Sequence, residues 1–209
     1  FTRETIESSY IRLLKILDKH LIKSPFLLGN RPASSDFAIY GQLTCLALFD
    51  PTPQALVLKY APRVHAWTEV LEDLSGYEIL DSDWATQNTD TRSLVSMLNP
   101  LLTEIGKIYI PYLLSNEIAV RSESKMMKAT IDGREWEQKP FPYQVKCLQA
   151  LREEFNHLNP QQKEEFNEII TETGIGIAYP NWGHGGAAAY VILFPVIFIT
   201  GNSWYASFF

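Results

Sequence analysis

Two acidic pairs, Glu153–Glu154 and Glu164–Glu165, are the first residues whose type suggests chemistry. General acid–base work needs carboxylates that converge on one reacting atom. Adjacent helical residues point to different sides, so each pair reads as a solvated face. The four histidines, His20, His65, His157 and His184, never fall at metal-ligand spacing, and no metal site is expected. Cys45 and Cys147 lie far apart, each inside an apolar helical pattern, and read as buried reduced thiols rather than a disulfide. No nucleophile sits in a recognisable strand-to-helix turn. Trp136, Phe141 and Tyr143 remain, interleaved with Pro140 and Pro142. Aromatic rings on a proline-stiffened segment can form a wall for an apolar substrate, or an interface. The plainer reading is that they pin a hairpin to a helical core. Tyr10 and Tyr40, on apolar helix faces, are expected in the core.

The elements that would position these residues are mostly helical. Ile6, Tyr10, Leu13, Leu14, Leu17 and Leu21 recur at spacings of three and four, which predicts an amphipathic helix over 5–23. Ser24-Pro25 stops it, because the residue before proline avoids helical geometry. A connector, Phe26 to Pro32, turns at Gly29-Asn30. The next helix is expected to start near Ala33-Ser34-Ser35-Asp36, with Asp36 as its structural cap. From Phe37 to Phe49 there is no charge at all, which predicts a central helix buried on all sides. Asp50-Pro51-Thr52-Pro53 ends it, and a helix over 54–74 follows, with Pro62 as a break or restart.

Beyond Gly76 a polar loop containing Trp84 leads to a helical stretch from Thr91 to about Ser122, expected in pieces because of Pro100 and Pro111. Asp132-Gly133 between two short alternating runs signals a tight β-hairpin near 128–138. A helix carrying Val145, Leu148, Leu151 and Phe155 inward comes next, and Asn159-Pro160 opens a last helix ending at Gly174.

Hydrophobic residues make up 46% of the chain, enough to predict a packed core rather than disorder. A net charge of −6 argues against nucleic acid, which calls for a concentrated basic surface. The composition changes most sharply at the end: from Thr173 onward there is no Asp, Glu, Lys or Arg. The apolar centre of that tail, 187–199, is shorter than the about 20 residues a membrane span needs. It reads as an unrelated or disordered segment, against a membrane-contacting or partner-binding one. Phe1 runs straight into the first helical pattern with no signal peptide before it, which predicts a fragment of a longer, cytoplasmic protein.

The run Pro25-Phe26-Leu27-Leu28-Gly29-Asn30-Arg31-Pro32-Ala33-Ser34-Ser35-Asp36-Phe37 closely resembles the C-terminal domain of glutathione S-transferases. There a leucine-rich helix, a "fLlG-x-r-P" connector and a Ser/Thr-x-x-Asp cap lead into a buried helix. Asp50-Pro51-x-Pro53 and Tyr60-Ala61-Pro62-Arg63-Val64-x-Ala66-Trp67 look like the helix that follows. The stretch from Ile131-Asp132-Gly133-Arg134 to Cys147-Leu148 is similar to an extended region of some bacterial members. Ala33 stands where the family has its capping Ser or Thr, and Ser34 is the candidate to take over by shifting the cap one residue.

The resemblance implies an all-α fold, a glutathione S-transferase C-terminal-like helical bundle with the small hairpin. Residues 1–76 would form its core, 77–174 an extended helical region, and 175–209 the apolar tail. It further implies glutathione as co-substrate, used to conjugate or reduce a small hydrophobic electrophile. Trp136, Phe141 and Tyr143 would then be candidates for the substrate side. The catalytic Ser, Tyr or Cys would belong to a thioredoxin-like N-terminal domain of the parent chain, so this piece alone is expected to be inactive. A homodimer is also implied. The alternative is a non-catalytic protein-interaction module built on the same domain.

Overall fold

The computed structural model describes residues 2–83, 91–171 and 173–178; the expected loop tryptophan Trp84, His184 and nearly all of the uncharged tail lie outside them. The described residues are mostly helical, with one small two-stranded antiparallel sheet among them. No helix among the described residues is long and apolar enough to cross a membrane. The described residues divide into two compact units, one formed by Ser8–Leu101 and the other by the described residues from Leu102 to Ala178 with the opening residues of the first helix.

The first unit starts with α1 (Thr2–His20), whose stripe Tyr10, Leu13, Leu14 and Leu17 is buried, as its spacing predicts. Burial pushes the Tyr10 phenol well above its ordinary range, and its hydroxyl reaches the Leu46 carbonyl at 3.4 Å. The connector closes on itself: Phe26 N donates to Gly29 O at 3.1 Å. Gly29 takes φ 122°, a backbone angle a side chain would strain, so the turn needs glycine there. The Ser24 hydroxyl lies 2.7 Å from the carbonyls of both Phe26 and Gly29 and ties the turn to the end of α1.

Helix α2 (Ser34–Leu43) follows and continues without a break into a π-helical segment, Thr44–Phe49. The cap does not shift to Ser34; it stays at Ala33, whose methyl group offers no acceptor. Asp36 does the work from inside the helix. Its two carboxylate oxygens accept from Leu27 N and Ala33 N, both at 2.8 Å, and the residue is fully buried. One side chain thus fastens the connector and the helix start together. Burial pushes the Asp36 carboxyl up to about 6, while the backbone donors hold it lower than burial alone would.

This has a pH consequence. The unfolded chain releases the proton near 3.8 and the folded chain near 6, so between these values the folded state binds more proton. Stability is therefore highest below this window and falls as pH rises through it, by roughly 3 kcal/mol for a shift of this size. Urea midpoints at pH 4.5 and 6.5 check the sign, which is opposite to that of an ordinary salt-bridged aspartate.

The central helix is not buried on every side. Ile39, Leu43, Leu46 and Ala47 face the core, but Phe37 is 47% and Phe49 is 85% exposed. The absence of charge along this run predicts burial; the structure gives one buried face and one uncharged open face. Asp50 caps α3 (Pro51–Tyr60), accepting from Thr52 N, and the chain breaks at Ala61 before α4 (Pro62–Glu72). Pro62 therefore restarts the helix rather than kinking it. Trp67 on α4 is buried and donates its indole N–H to Pro25 O at 2.9 Å. Arg63 contributes both its backbone N–H and its guanidinium to Asp18.

Helical structure over 91–121 is continuous, against the expectation of separate pieces. Helix α5 (Thr91–Glu104) holds Pro100 in its interior and passes into a π-helical segment, Ile105–Tyr109, which leads into α6 (Ile110–Arg121). The wide turn is where Pro111 is absorbed. Proline has no N–H to give and crowds the carbonyl four residues back; a π-turn, here with Ile110 N donating to Ile105 O, loosens that spot. Strands β1 (Met127–Ile131) and β2 (Arg134–Gln138) pair around Asp132-Gly133, with φ 53° and 73° at the two turn residues, as a hairpin of this twist demands. Helices α7 (Pro142–His157) and α8 (Pro160–Ile170) complete the described core; α8 has a reciprocal cap between Asn159 and Gln162.

Candidate functional site: an aromatic ledge on the second unit

The second unit gathers the three aromatic candidates, and it treats them differently. Alternation along β2 turns Trp136 inward, where it is 8% exposed and packs edge-on against Tyr112 of α6, ring centres 6.4 Å apart. Its indole N–H donates to Gln138 Oε1 at 3.0 Å, and Gln138 Nε2 donates to the Tyr112 oxygen at 2.8 Å. Trp136 thus ties the hairpin to α6.

Phe141 and Tyr143 are on the surface, 36% and 56% exposed, with ring centres 6.3 Å apart and planes tilted by 46°. Their support is stiff. Phe141 caps α7 from an extended backbone, and Pro142 fixes the first helical residue. The buried amide of Asn116 on α6 pairs with the Phe141 backbone like a strand neighbour: its Nδ2 donates to Phe141 O at 2.9 Å and its Oδ1 accepts from Phe141 N at 2.7 Å. The ledge therefore loses little freedom when something packs on it.

No family model, curated protein or solved structure matches this chain.

Electrostatics below the ledge are structural. Glu117, beside Asn116, accepts from Arg152 at 2.7 Å and Arg121 at 2.9 Å through the same oxygen. Burial works to raise its carboxyl, but hydrogen bonds and charge from the two guanidiniums outweigh that and hold it below the ordinary range. Tyr109 stacks on Tyr112, and burial pushes both phenols up. Burial likewise raises the Cys147 thiol. Cys147 is buried, Cys45 is half-buried, and the two do not form a disulfide.

Asp36 belongs to the first unit, where it acts on backbone amides. Glu153, Glu154, Glu164 and Glu165 are all exposed. Tyr10 is a core residue, whereas Tyr40 is only half-buried and donates its hydroxyl to Glu72. His65 sits at the boundary, 3.4 Å from Glu69. Among the described residues no group of His, Cys, Asp and Glu is assembled that could hold a metal ion. Asn116 and Tyr112 are the functional supports that residue types alone did not reveal. The available signal for the first was its position, three and four residues on from Leu113 and Tyr112 and so on the face that the helical period turns inward.

Proposed function

We propose that this chain is the helical, substrate-side domain of a glutathione S-transferase-like protein. It would supply an apolar wall for a small hydrophobic electrophile that glutathione conjugates or reduces. The thiolate-stabilising residue would come from a thioredoxin-like domain of the same parent protein, and the pair would work as a homodimer. The observation that carries the substrate-side role is the exposed Phe141–Tyr143 pair, held ready by Pro142 and Asn116. The sequence resemblance through 25–37 and 131–148 supplies the family. The Asp36 contacts to Leu27 and Ala33 agree with the role that resemblance gives that carboxylate.

The test is kinetic, on the parent protein with glutathione and a chloronitroarene. Replacing both rings, Phe141→Ala with Tyr143→Ala, is expected to raise KM for the arene several-fold and leave KM for glutathione unchanged. Equal KM values for the arene in both proteins would remove the ledge from the substrate site.

A second reading has its own observation. Phe37 and Phe49 are exposed on a helical run that carries no charge between them. Such a face favours a protein-interaction module without catalysis.

A further inference from the structure

In the first unit, α1 meets the corner between α3 and α4, and positive charge collects there. Tyr60 is the last residue of α3, and Ala61 behind it is buried at the break before α4. Arg63, in the first turn of α4, locks this corner to α1. Its backbone N–H donates to Asp18 Oδ1 at 3.0 Å and its guanidinium to Oδ2 at 2.6 Å, so each oxygen of Asp18 already has Arg63 as its partner. The half-buried Tyr60 ring carries two ammonium groups: Lys15 Nζ, from α1, at 5.0 Å from the ring centre, and Lys59 Nζ at 4.9 Å. Lys19, one helical turn on from Lys15, is exposed on the same side of α1. Among the described residues none of these three lysines forms an ion pair, and the Tyr60 hydroxyl has no hydrogen-bond partner. Lys19 and Lys59 lie in the last turns of their helices, where positive charge is favourable. Lys15 lies further from the end of α1, yet it reaches the same ring as Lys59.

We infer that this corner is a binding site for a phosphate group, with Lys15, Lys59 and the Tyr60 hydroxyl as its donors and Lys19 adding charge. The donor set chooses the ligand. A phosphate presents oxygens in several directions and carries close to two negative charges, which suits ammonium groups that reach it as point charges from two helices. A carboxylate is matched by the planar fork of arginine, and Arg63 at this corner is already held by Asp18. The chain as a whole carries a net charge of −6, so a local excess of three cations sets this corner apart. The site uses no residue of the aromatic ledge and does not rest on the transferase reading.

Amide NMR of the full chain tests this, titrated with inorganic phosphate and separately with phosphoserine, against sodium chloride at the same ionic strength. The expected result is saturable shifts at residues 15–19 and 59–63 with a phosphate and none with chloride. Lys15→Gln combined with Lys59→Gln should weaken binding by about tenfold or more, because two charge-assisted contacts are lost. Tyr60→Phe keeps the ring between the lysines and removes only the hydroxyl, so it should weaken binding by a smaller factor. Lys125→Gln combined with Lys139→Gln removes as much charge elsewhere and should leave binding unchanged. Tighter binding of phosphoserine makes the ligand a phosphate ester, and equal or tighter binding of inorganic phosphate makes it the free anion; either result supports the site. Shifts that follow ionic strength alone, or saturation that persists undiminished without Lys15 and Lys59, would overturn it.

Discussion

Asp36→Ala is expected to cost about 3 kcal/mol of folding stability, a large share of what a domain of this size holds in reserve. The variant strands two buried amides, Leu27 N and Ala33 N, each of which now has its acceptor at 2.8 Å. Relief of the buried carboxylate offsets part of that loss. Ala33 carries no side-chain acceptor to replace it, and Ser34 is exposed. Asp36→Asn should fall between the parent and the alanine variant. Its single carbonyl oxygen can satisfy one amide, while its NH2 meets the other donor to donor. Urea unfolding of the three proteins measures this. A midpoint for Asp36→Ala within error of the parent's would mean that the connector and α2 are held by something else.

The second large effect is expected at Gly106, inside the π-helical segment. A Cβ built there would lie 1.8 Å from Thr173 O and 2.8 Å from Thr173 C. Both are backbone atoms, so no side-chain rotation relieves the clash. The stretch around Thr173–Ile175 must move, and with it the burial of Ile175, now 3% exposed. Gly106→Ala should therefore destabilise the second unit by about 2–4 kcal/mol through lost burial and poorer packing. The sign is diagnostic. In a helix with open space, glycine to alanine stabilises by up to about 1 kcal/mol. Amide exchange at 173–175 should rise sharply in the variant, together with a lower unfolding midpoint. An unchanged exchange pattern would show that this segment does not rest on Gly106.

Much of the fold was legible because local chemistry dictated it. The three-and-four spacing through Leu13, Leu14 and Leu17, the Asn159-Pro160 start and the Asp132-Gly133 turn each leave the backbone few choices. What could not be read were features set by distant partners. Pro100 and Pro111 argue locally for broken helices, yet the chain stays helical through both, with a π-turn just ahead of the second. The uncharged run from Phe37 to Phe49 says apolar but not how many of its sides are covered, and Phe37 and Phe49 emerged exposed.

The site was legible in part for the same reason. Proline spacing marks Phe141 and Tyr143 as residues on a stiff frame, but nothing in their types separates them from Trp136. Strand alternation does: β2 turns Trp136 inward, and the two rings beyond the strand stay at the surface. Asn116 supports the ledge from 25 residues away in sequence, a pairing that only the folded chain reveals.

The central claim, a substrate-side domain whose thiol chemistry is supplied by a thioredoxin-like domain, is tested most directly by one activity comparison. Glutathione conjugation of a chloronitroarene would be followed with the 209-residue chain and with the protein encoded when the reading frame is extended upstream of Phe1. The account predicts no rate above the uncatalysed reaction for the chain alone. It predicts clear acceleration by the extended protein, abolished when the Ser, Tyr or Cys of its thioredoxin-like domain is replaced. An extended protein without such a domain, or one that binds partners but leaves the uncatalysed rate unchanged, would contradict the transferase reading and leave the interaction module as the function.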